Sequence, residues 1–271
     1  MSKIVSVHSF RGGTGKSNVT ANLATIIARS GQRVGIVDTD IQSPGIHVLF
    51  GLNEDKIGYT LNDYLWGRCA IEDAAYDVTP LLKTSHKGAG IRGSIYLIPS
   101  SIKTGEISRI LREGYDARLL NEGLGNLSRR LKLDYLLIDT HPGINEETLL
   151  SIILSNVLVI ILRPDHQDYQ GTAVTVDVAR KLEVPKMLLV VNKVLPSINS
   201  QALSQQVQRT YNTTVASILP VCEEMFQLGS SDVFSLCYPN HPWTQGVNAI
   251  AKHIVQNKIT SLFGQNGYLK F

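Results

Sequence analysis

The sequence predicts an α/β fold, a doubly wound and mostly parallel sheet flanked by helices. Two observations carry that expectation. Short, almost continuously apolar runs alternate with helical patterns along the chain, as strands covered by helices on both faces require. The clusters at 9–17, 38–40, 139–143 and 192 each fall just after one of those runs, at the strand ends where such sheets bind ligands. The 271 residues can bury a large core, and 43% hydrophobic with 18% charged residues is an ordinary globular balance. One domain over 1–271 is expected, without internal repeats.

The first apolar run, residues 4–7, reads as a strand and leads into Ser9-Phe10-Arg11-Gly12-Gly13-Thr14-Gly15-Lys16-Ser17. An alanine-rich helical pattern follows over 18–29. Glycines at such a junction let backbone N–H groups converge on phosphate oxygens at the start of a helix. Gly12, Gly13 and Gly15 supply that freedom, with Thr14 and Asn18 in the same cradle. Lys16 reaches the β- and γ-phosphates, and the Ser17 hydroxyl suits Mg²⁺, which takes hard oxygen ligands. A plain connecting turn has no need of Lys-Ser at that offset. The expected fold is therefore that of a P-loop NTPase, with one departure: Phe10 stands where the usual pattern begins with glycine.

The second strand, 33–37, ends in Asp38-Thr39-Asp40. Carboxylates at i and i+2 can serve a phosphate site through Mg²⁺-bound water or by orienting the attacking water. They can equally form an Asx-rich turn. A polar, glycine-rich stretch over 84–93 reads as a loop before a strand at 95–98, and one long helical pattern covers roughly 108–131. The strand at 135–138 runs into Asp139-Thr140-His141-Pro142-Gly143. An acid after an apolar strand is the Walker-B arrangement, holding Mg²⁺ directly or through water. Gly143 is expected to bring a backbone N–H near the γ-phosphate, and His141 to be structural.

Helical patterns at 147–155, 169–182, 200–211 and 244–262 alternate with strands at 157–162, 187–191 and 215–219. The strand at 187–191 leads into Asn192-Lys193-Val194-Leu195. Leu195 cannot accept guanine's hydrogen bonds, whereas the Asn192 amide offers adenine both a donor and an acceptor. Pro220, in the loop after 215–219, is expected to close over the base. ATP is thus favoured over GTP, with Mg²⁺ as the metal.

These motifs resemble the ParA/MinD family of deviant Walker-A ATPases. The resemblance rests on Gly12-Gly13-Thr14-Gly15-Lys16-Ser17, Asp38-Thr39-Asp40, Asp139-Thr140-His141-Pro142-Gly143 and Asn192. It implies a dimer sandwiching two ATP molecules, with hydrolysis reversing dimerisation and surface binding. It also implies that Asp40 orients or activates water, that Asp38 supports the magnesium water shell, and that Lys16 holds phosphates. Where the family carries a lysine that reaches the partner's nucleotide, this chain has Arg11. Either its guanidinium takes that role across the dimer, as its charge and fork suit phosphate, or another basic residue does. The family's Asp-x-Asp-Pro-Gln is here Asp38-Thr39-Asp40-Ile41-Gln42-Ser43-Pro44.

The resemblance implies a partitioning or positioning ATPase with a ParB-like or cargo-adaptor activator. Arg109, Arg112, Arg118, Arg129 and Arg130 offer nonspecific DNA a basic cluster, although interleaved acids also fit an ordinary solvated helix face. Residues 258–271, with two glycines and two lysines, make a poor interfacial helix and are expected to dock on the body. A membrane-bound, MinD-like regulator is the nearest alternative, and an ATP-dependent metabolic enzyme on the same fold is the other. Cys69, Cys222 and Cys237 lack Cys-x-x-Cys spacing, which argues against a disulfide framework or zinc site. No signal peptide is expected, and a cytoplasmic, nucleoid-associated protein is the reading.

Overall fold

In the computed structural model, which describes residues 2–85 and 90–255, the strands are β1 (Lys3–His8), β2 (Arg33–Asp38), β3 (Tyr76–Asp77), β4 (Ser94–Ile98), β5 (Tyr135–Asp139), β6 (Val157–Leu162), β7 (Met187–Val194) and β8 (Val215–Pro220). They form one sheet in the order β3-β4-β2-β5-β1-β6-β7-β8. Every pairing is parallel except β3 with β4, which is antiparallel. From β1 the chain passes to β2 on one side, and after β5 it crosses β1 to reach β6 on the other. This reversal opens a crevice at the carboxyl ends of the central strands. Sequence patterning anticipated the parallel sheet but not β3, whose two residues show no apolar run.

The helices are α1 (Lys16–Arg29), α2 (Ile46–Leu49), α3 (Leu61–Leu65), α4 (Thr79–Ser85), α5 (Thr104–Glu113), α6 (Ala117–Arg130), α7 (Glu146–Ile153), α8 (His166–Lys181), α9 (Ser200–Tyr211), α10 (Glu223–Leu228), α11 (Phe234–Cys237) and α12 (Pro242–Val255). On one face α1 and α12 bury Leu23, Ile27, Trp243 and Val247 against Val5, Val7 and Leu137. On the other, α6 buries Leu120, Leu124 and Leu127 against Leu136 and Ile138. Alternate residues of β5 thus feed opposite cores, which is why the strand is apolar throughout. Each fully buried aliphatic side chain contributes about 1.5–3 kcal/mol relative to exposure.

The single helix expected over 108–131 is two helices. Gly114 adopts φ 67°, and the Asp116 side chain accepts from the Arg118 N–H to cap α6. A left-handed glycine followed by an acidic N-cap ends one helix and starts the next. At its other end the last helix was expected to reach 262; α12 is described to Val255, and residues 256–271, with the expected docking of that segment, lie outside the described residues. Likewise α4 occupies the start of the stretch read as a loop, and 86–89 lie outside the described residues.

Candidate functional site: a phosphate loop over paired carboxylates

β1 delivers the chain into the loop at Ser9, whose hydroxyl donates to the Arg11 carbonyl at 2.6 Å. Gly15 stands at the head of α1 with φ 93°, and no side chain caps the helix. Its first-turn N–H groups and the positive end of its dipole are therefore disposed toward an anion. Gly15 has a second reason to be glycine: a Cβ there would lie 2.6 Å from the Asn192 Nδ2. That approach is part of a clamp. Asn192 Nδ2 donates to the Thr14 carbonyl at 2.8 Å, and Lys193 Nζ donates to the Gly13 carbonyl at 2.8 Å. Lys193 sits in the left-handed region at φ 59°, an uncommon position for a residue with a side chain. The end of β7 thus grips the loop from the side opposite the carboxylates.

Those carboxylates come from adjacent strands. Asp38 and Asp139 end β2 and β5 and are register partners. The Thr39 N–H and hydroxyl both donate to the Asp139 carbonyl, at 2.9 and 3.0 Å. Asp38 accepts from the N–H groups of Asp40 (3.0 Å) and Gly45 (3.3 Å), and Asp40 accepts from the Ser43 N–H and hydroxyl. The Asx-rich turn allowed by the sequence is therefore present, and it fixes the orientation of both carboxylates. Asp139 accepts from Thr20 Oγ1 at 3.1 Å.

The acids are all buried and feel one another's charge, and Asp139 also feels Lys16, the one buried lysine or arginine among the described residues. Burial raises Asp139 to about 6, against the pull of Lys16, Ser17 and Thr20, while the Asp40 charge pushes it further up. Burial, followed by the charge of Asp139, drives Asp38 well above the usual carboxylate range. An arrangement that resists its own ionisation is one a divalent cation relieves. The donor set, carboxylates with the half-buried Ser17 hydroxyl, is the hard-oxygen kind that Mg²⁺ takes.

On the clamp side lies a cavity of about 350 Å³ lined by Gly13, Gly15, Asn18, Asn192, Lys193 and Pro220, with Val221, Cys222, Met225, Phe226, Gly229, Ser230 and Trp243 closing it. Loop, Asn192 and Pro220 are thus brought together. Sequence reading missed Trp243, Met225 and Phe226, since aromatic and apolar residues on amphipathic helices look like core. Trp243 Nε1 donates to Asn192 Oδ1 at 3.4 Å, and the Lys193 N–H donates to the same oxygen at 2.9 Å. This narrows the expected role of Asn192. Both acceptor sites of its oxygen and one amide hydrogen are engaged by the protein, leaving one donor for a base. A donor can reach N7, which adenine and guanine share, so Asn192 does not by itself choose adenine.

Two further expectations meet the geometry. The Gly143 N–H donates to the Ser9 carbonyl at 3.0 Å, so it points back into the loop and must leave that bond to meet a phosphate. His141 Nδ1 lies 2.6 Å from the Pro142 carbonyl, the local contact of a structural histidine. His8, unremarked in the sequence, is fully buried beneath the loop, with Nδ1 2.8 Å from Thr140 Oγ1. Burial lowers its pKa to about 3, helped by Lys16 and His141.

Arg11 turns away from the phosphate cradle. Its Nη1 donates to Gln167 Oε1 and its Nε lies 3.8 Å from Asp168 Oδ1, both on α8. Phe10 packs on the same helix: a Cβ at Gly171 would lie 2.1 Å from the ring.

In the arginine cluster, Arg109 pairs with Glu113, Arg118 with Asp116 and Arg130 with Glu72. Arg112 and Arg129 bond the neutral oxygens of Ser108 and Asn126. The three cysteines are free thiols. Cys222, Glu224 and His241 do converge within 4.8 Å. His241 Nδ1, however, accepts the Trp243 N–H at 3.0 Å, so in the neutral ring Nε2 carries the proton and presents no lone pair to an ion. Cys222 contributes to the cavity wall, and His241 accepts a first-turn N–H of α12.

Fold and site together define a nucleotide-binding P-loop protein with two carboxylate-bearing strands under the loop. A family model described as an AAA domain, AAA_31, matches residues 2–190, and the chain belongs to that family, P-loop ATPases of the MinD/ParA group. It is 24% identical over 262 residues to an uncharacterised ATP-binding protein of Methanocaldococcus jannaschii, covering 95% of this chain and 89% of that one. The septum site-determining protein MinD of Pyrococcus horikoshii, solved in complex with Mg-ADP, superposes with a TM-score of 0.76 at 21% identity, covering 98% of this chain and 100% of that one. A ParA family ATPase of Chlorobium tepidum gives 0.74 at 17%, covering 93% and 100%. Both branches share the fold, and neither is singled out. Among the described residues no helix is long and apolar enough to cross a membrane.

Proposed function

We propose that the chain, acting as one ATPase domain over 1–271, is a Mg-dependent ATP hydrolase and a dimerising switch that positions or partitions cargo, DNA or a protein complex, on the nucleoid. The observation that supports this is the convergence of Asp38, Asp40 and Asp139 on one another, with Asp139 beside Lys16 of the phosphate loop. Lys16 and the N–H groups of Gly12–Asn18 hold the phosphates, with the base in the cavity between Asn192 and Pro220. Ser17, Asp38 and Asp139 hold Mg²⁺ directly or through water; when bound, the ion neutralises charge on the transferring phosphoryl group. Asp40 orients the attacking water, and Arg11 reaches the nucleotide of a partner subunit. Gly143, released from Ser9, senses the γ-phosphate. A ParB-like or cargo-adaptor protein stimulates turnover. Nonspecific DNA is met chiefly by Arg112 and Arg129, the arginines of the cluster not paired with acids.

Two assays test this. Asp40→Ala retains ATP binding and a persistent ATP-bound dimer while turnover falls about 10²–10⁴-fold; normal hydrolysis by that variant defeats the role assigned to Asp40. Cosedimentation with nonspecific DNA and with anionic liposomes, each with ATP and with ADP, tests the surface. ATP-dependent DNA retention that collapses with salt is expected. Liposome retention instead places the chain with membrane-bound regulators, and retention on neither points to a metabolic enzyme.

A further inference from the structure

Arg11 occupies the one loop position whose charge is directed neither at the cradle nor at the carboxylates, and α8 is what directs it. Its guanidinium is held through Nη1 by Gln167 and stands 3.8 Å from Asp168. Gln167 and Asp168 lie in the first turn of α8, one turn before the Gly171 surface on which Phe10 packs. We propose that Gln167 is a positioning residue, a latch that keeps Arg11 on its own subunit until the nucleotide of a second subunit displaces it. The inference rests on the dimeric reading above.

What Asp168 already does sets the strength of the latch. Its carboxylate is 2% exposed and accepts from the Arg163 backbone N–H at 2.8 Å, from Nε at 3.0 Å and from Nη2 at 3.1 Å. Its own N–H is capped by Asp165 at 2.9 Å. Removing one partner of a buried ion pair is costly when the other is left unpaired. Here Arg163 remains, so the departure of Arg11 orphans no buried charge. The Gln167 contact offers the Arg11 guanidinium only a neutral acceptor at the surface, with Arg11 42% exposed, so water competes for both partners and the net gain is small. Phosphate oxygens carry full charge and meet a guanidinium fork with two parallel bonds. A partner's nucleotide therefore outcompetes the latch.

The test uses the full chain with a non-hydrolysable ATP analogue and sedimentation velocity to find the concentration of half-dimerisation, with steady-state ATP turnover measured alongside. Gln167→Ala lowers that concentration about 3–10-fold, leaving turnover per dimer and thermal midpoint unchanged. Gln167→Glu, which turns the hold into a guanidinium–carboxylate ion pair, raises it by a similar factor. In an Arg11→Ala background both substitutions become silent, a dependence that a merely structural role of Gln167 does not produce. The latch is overturned if Gln167→Ala leaves dimerisation unchanged in the otherwise intact chain, or shifts it equally without Arg11. If Arg11→Ala itself leaves dimerisation and turnover intact, the trans role of Arg11 falls and the latch with it. An Arg11→Ala defect beside a silent Gln167→Ala removes the latch alone.

Discussion

Asn192 illustrates how one side chain can be shared between scaffold and ligand. Its Nδ2 holds the Thr14 carbonyl, its Oδ1 is held by Trp243 and by the following N–H, and one amide hydrogen remains for a base. Removing it therefore loosens the loop before it alters base recognition. Asn192→Ala is expected to weaken ADP and GDP binding by similar factors, about tenfold each from one lost hydrogen bond and a slackened loop. Isothermal titration with both nucleotides checks this; a loss confined to ADP would restore Asn192 as the adenine reader. The sequence shows Asn192 and Lys193 plainly, since they follow an apolar strand, but a strand end does not reveal which atoms are already taken. That depends on Thr14, 178 residues away.

At the scale of elements, α8 supports the loop from outside. Phe10 stands where the P-loop pattern expects glycine, and the room for its ring is made by Gly171, whose Cβ would collide with it. Gly171→Ala is accordingly expected to displace the ring and the loop behind it. The cost is about 1–3 kcal/mol of stability, as for other overpacked sites, together with weaker Mg-ADP binding. Denaturant unfolding and nucleotide titration measure the two effects, and an unchanged variant would show that the ring moves freely. The loop itself was legible because its chemistry is contiguous in sequence. Its departures were visible too, yet their accommodation was not, because compensating residues lie on a helix encoded far downstream. The break between α5 and α6 was signalled locally by Gly114 and Asp116, and it was still missed, because the amphipathic pattern runs across them.

For the whole molecule, burying acids and a histidine under one loop makes stability depend on pH in two opposing ways. Asp139, raised to about 6, contributes stability fully below its unfolded value of 3.8 and loses it as pH rises through about 6. Asp38 is raised as well and acts in the same direction. His8 contributes above its unfolded value of 6.5 and loses that contribution as pH falls through about 3. The effects oppose each other between about pH 4 and pH 6. Asp38→Asn with Asp139→Asn should unmask the histidine, so that the thermal midpoint falls on acidification from pH 6.5 to pH 4. His8→Gln should unmask the acids, and its midpoint should rise over the same interval. Mg-ADP should flatten that rise, since the cation favours the ionised carboxylates. Calorimetric scans across this pH range decide it; identical profiles for the two variants would show that these groups do not govern acid stability.

The position of β5 between β2 and β1 has a consequence for assembly in time. By residue 40 a growing chain already contains its phosphate loop and the Asp38-Thr39-Asp40 turn, but β1 and β2 are not sheet neighbours. Each pairs with β5, and the bond that joins the turn to the second acid links Thr39 to Asp139, 100 residues apart. Such a closure pays its loop entropy before any contact rewards it. The carboxylate side of the site therefore closes only when β5 arrives, and the grip of Asn192 and Lys193 on the loop comes later still.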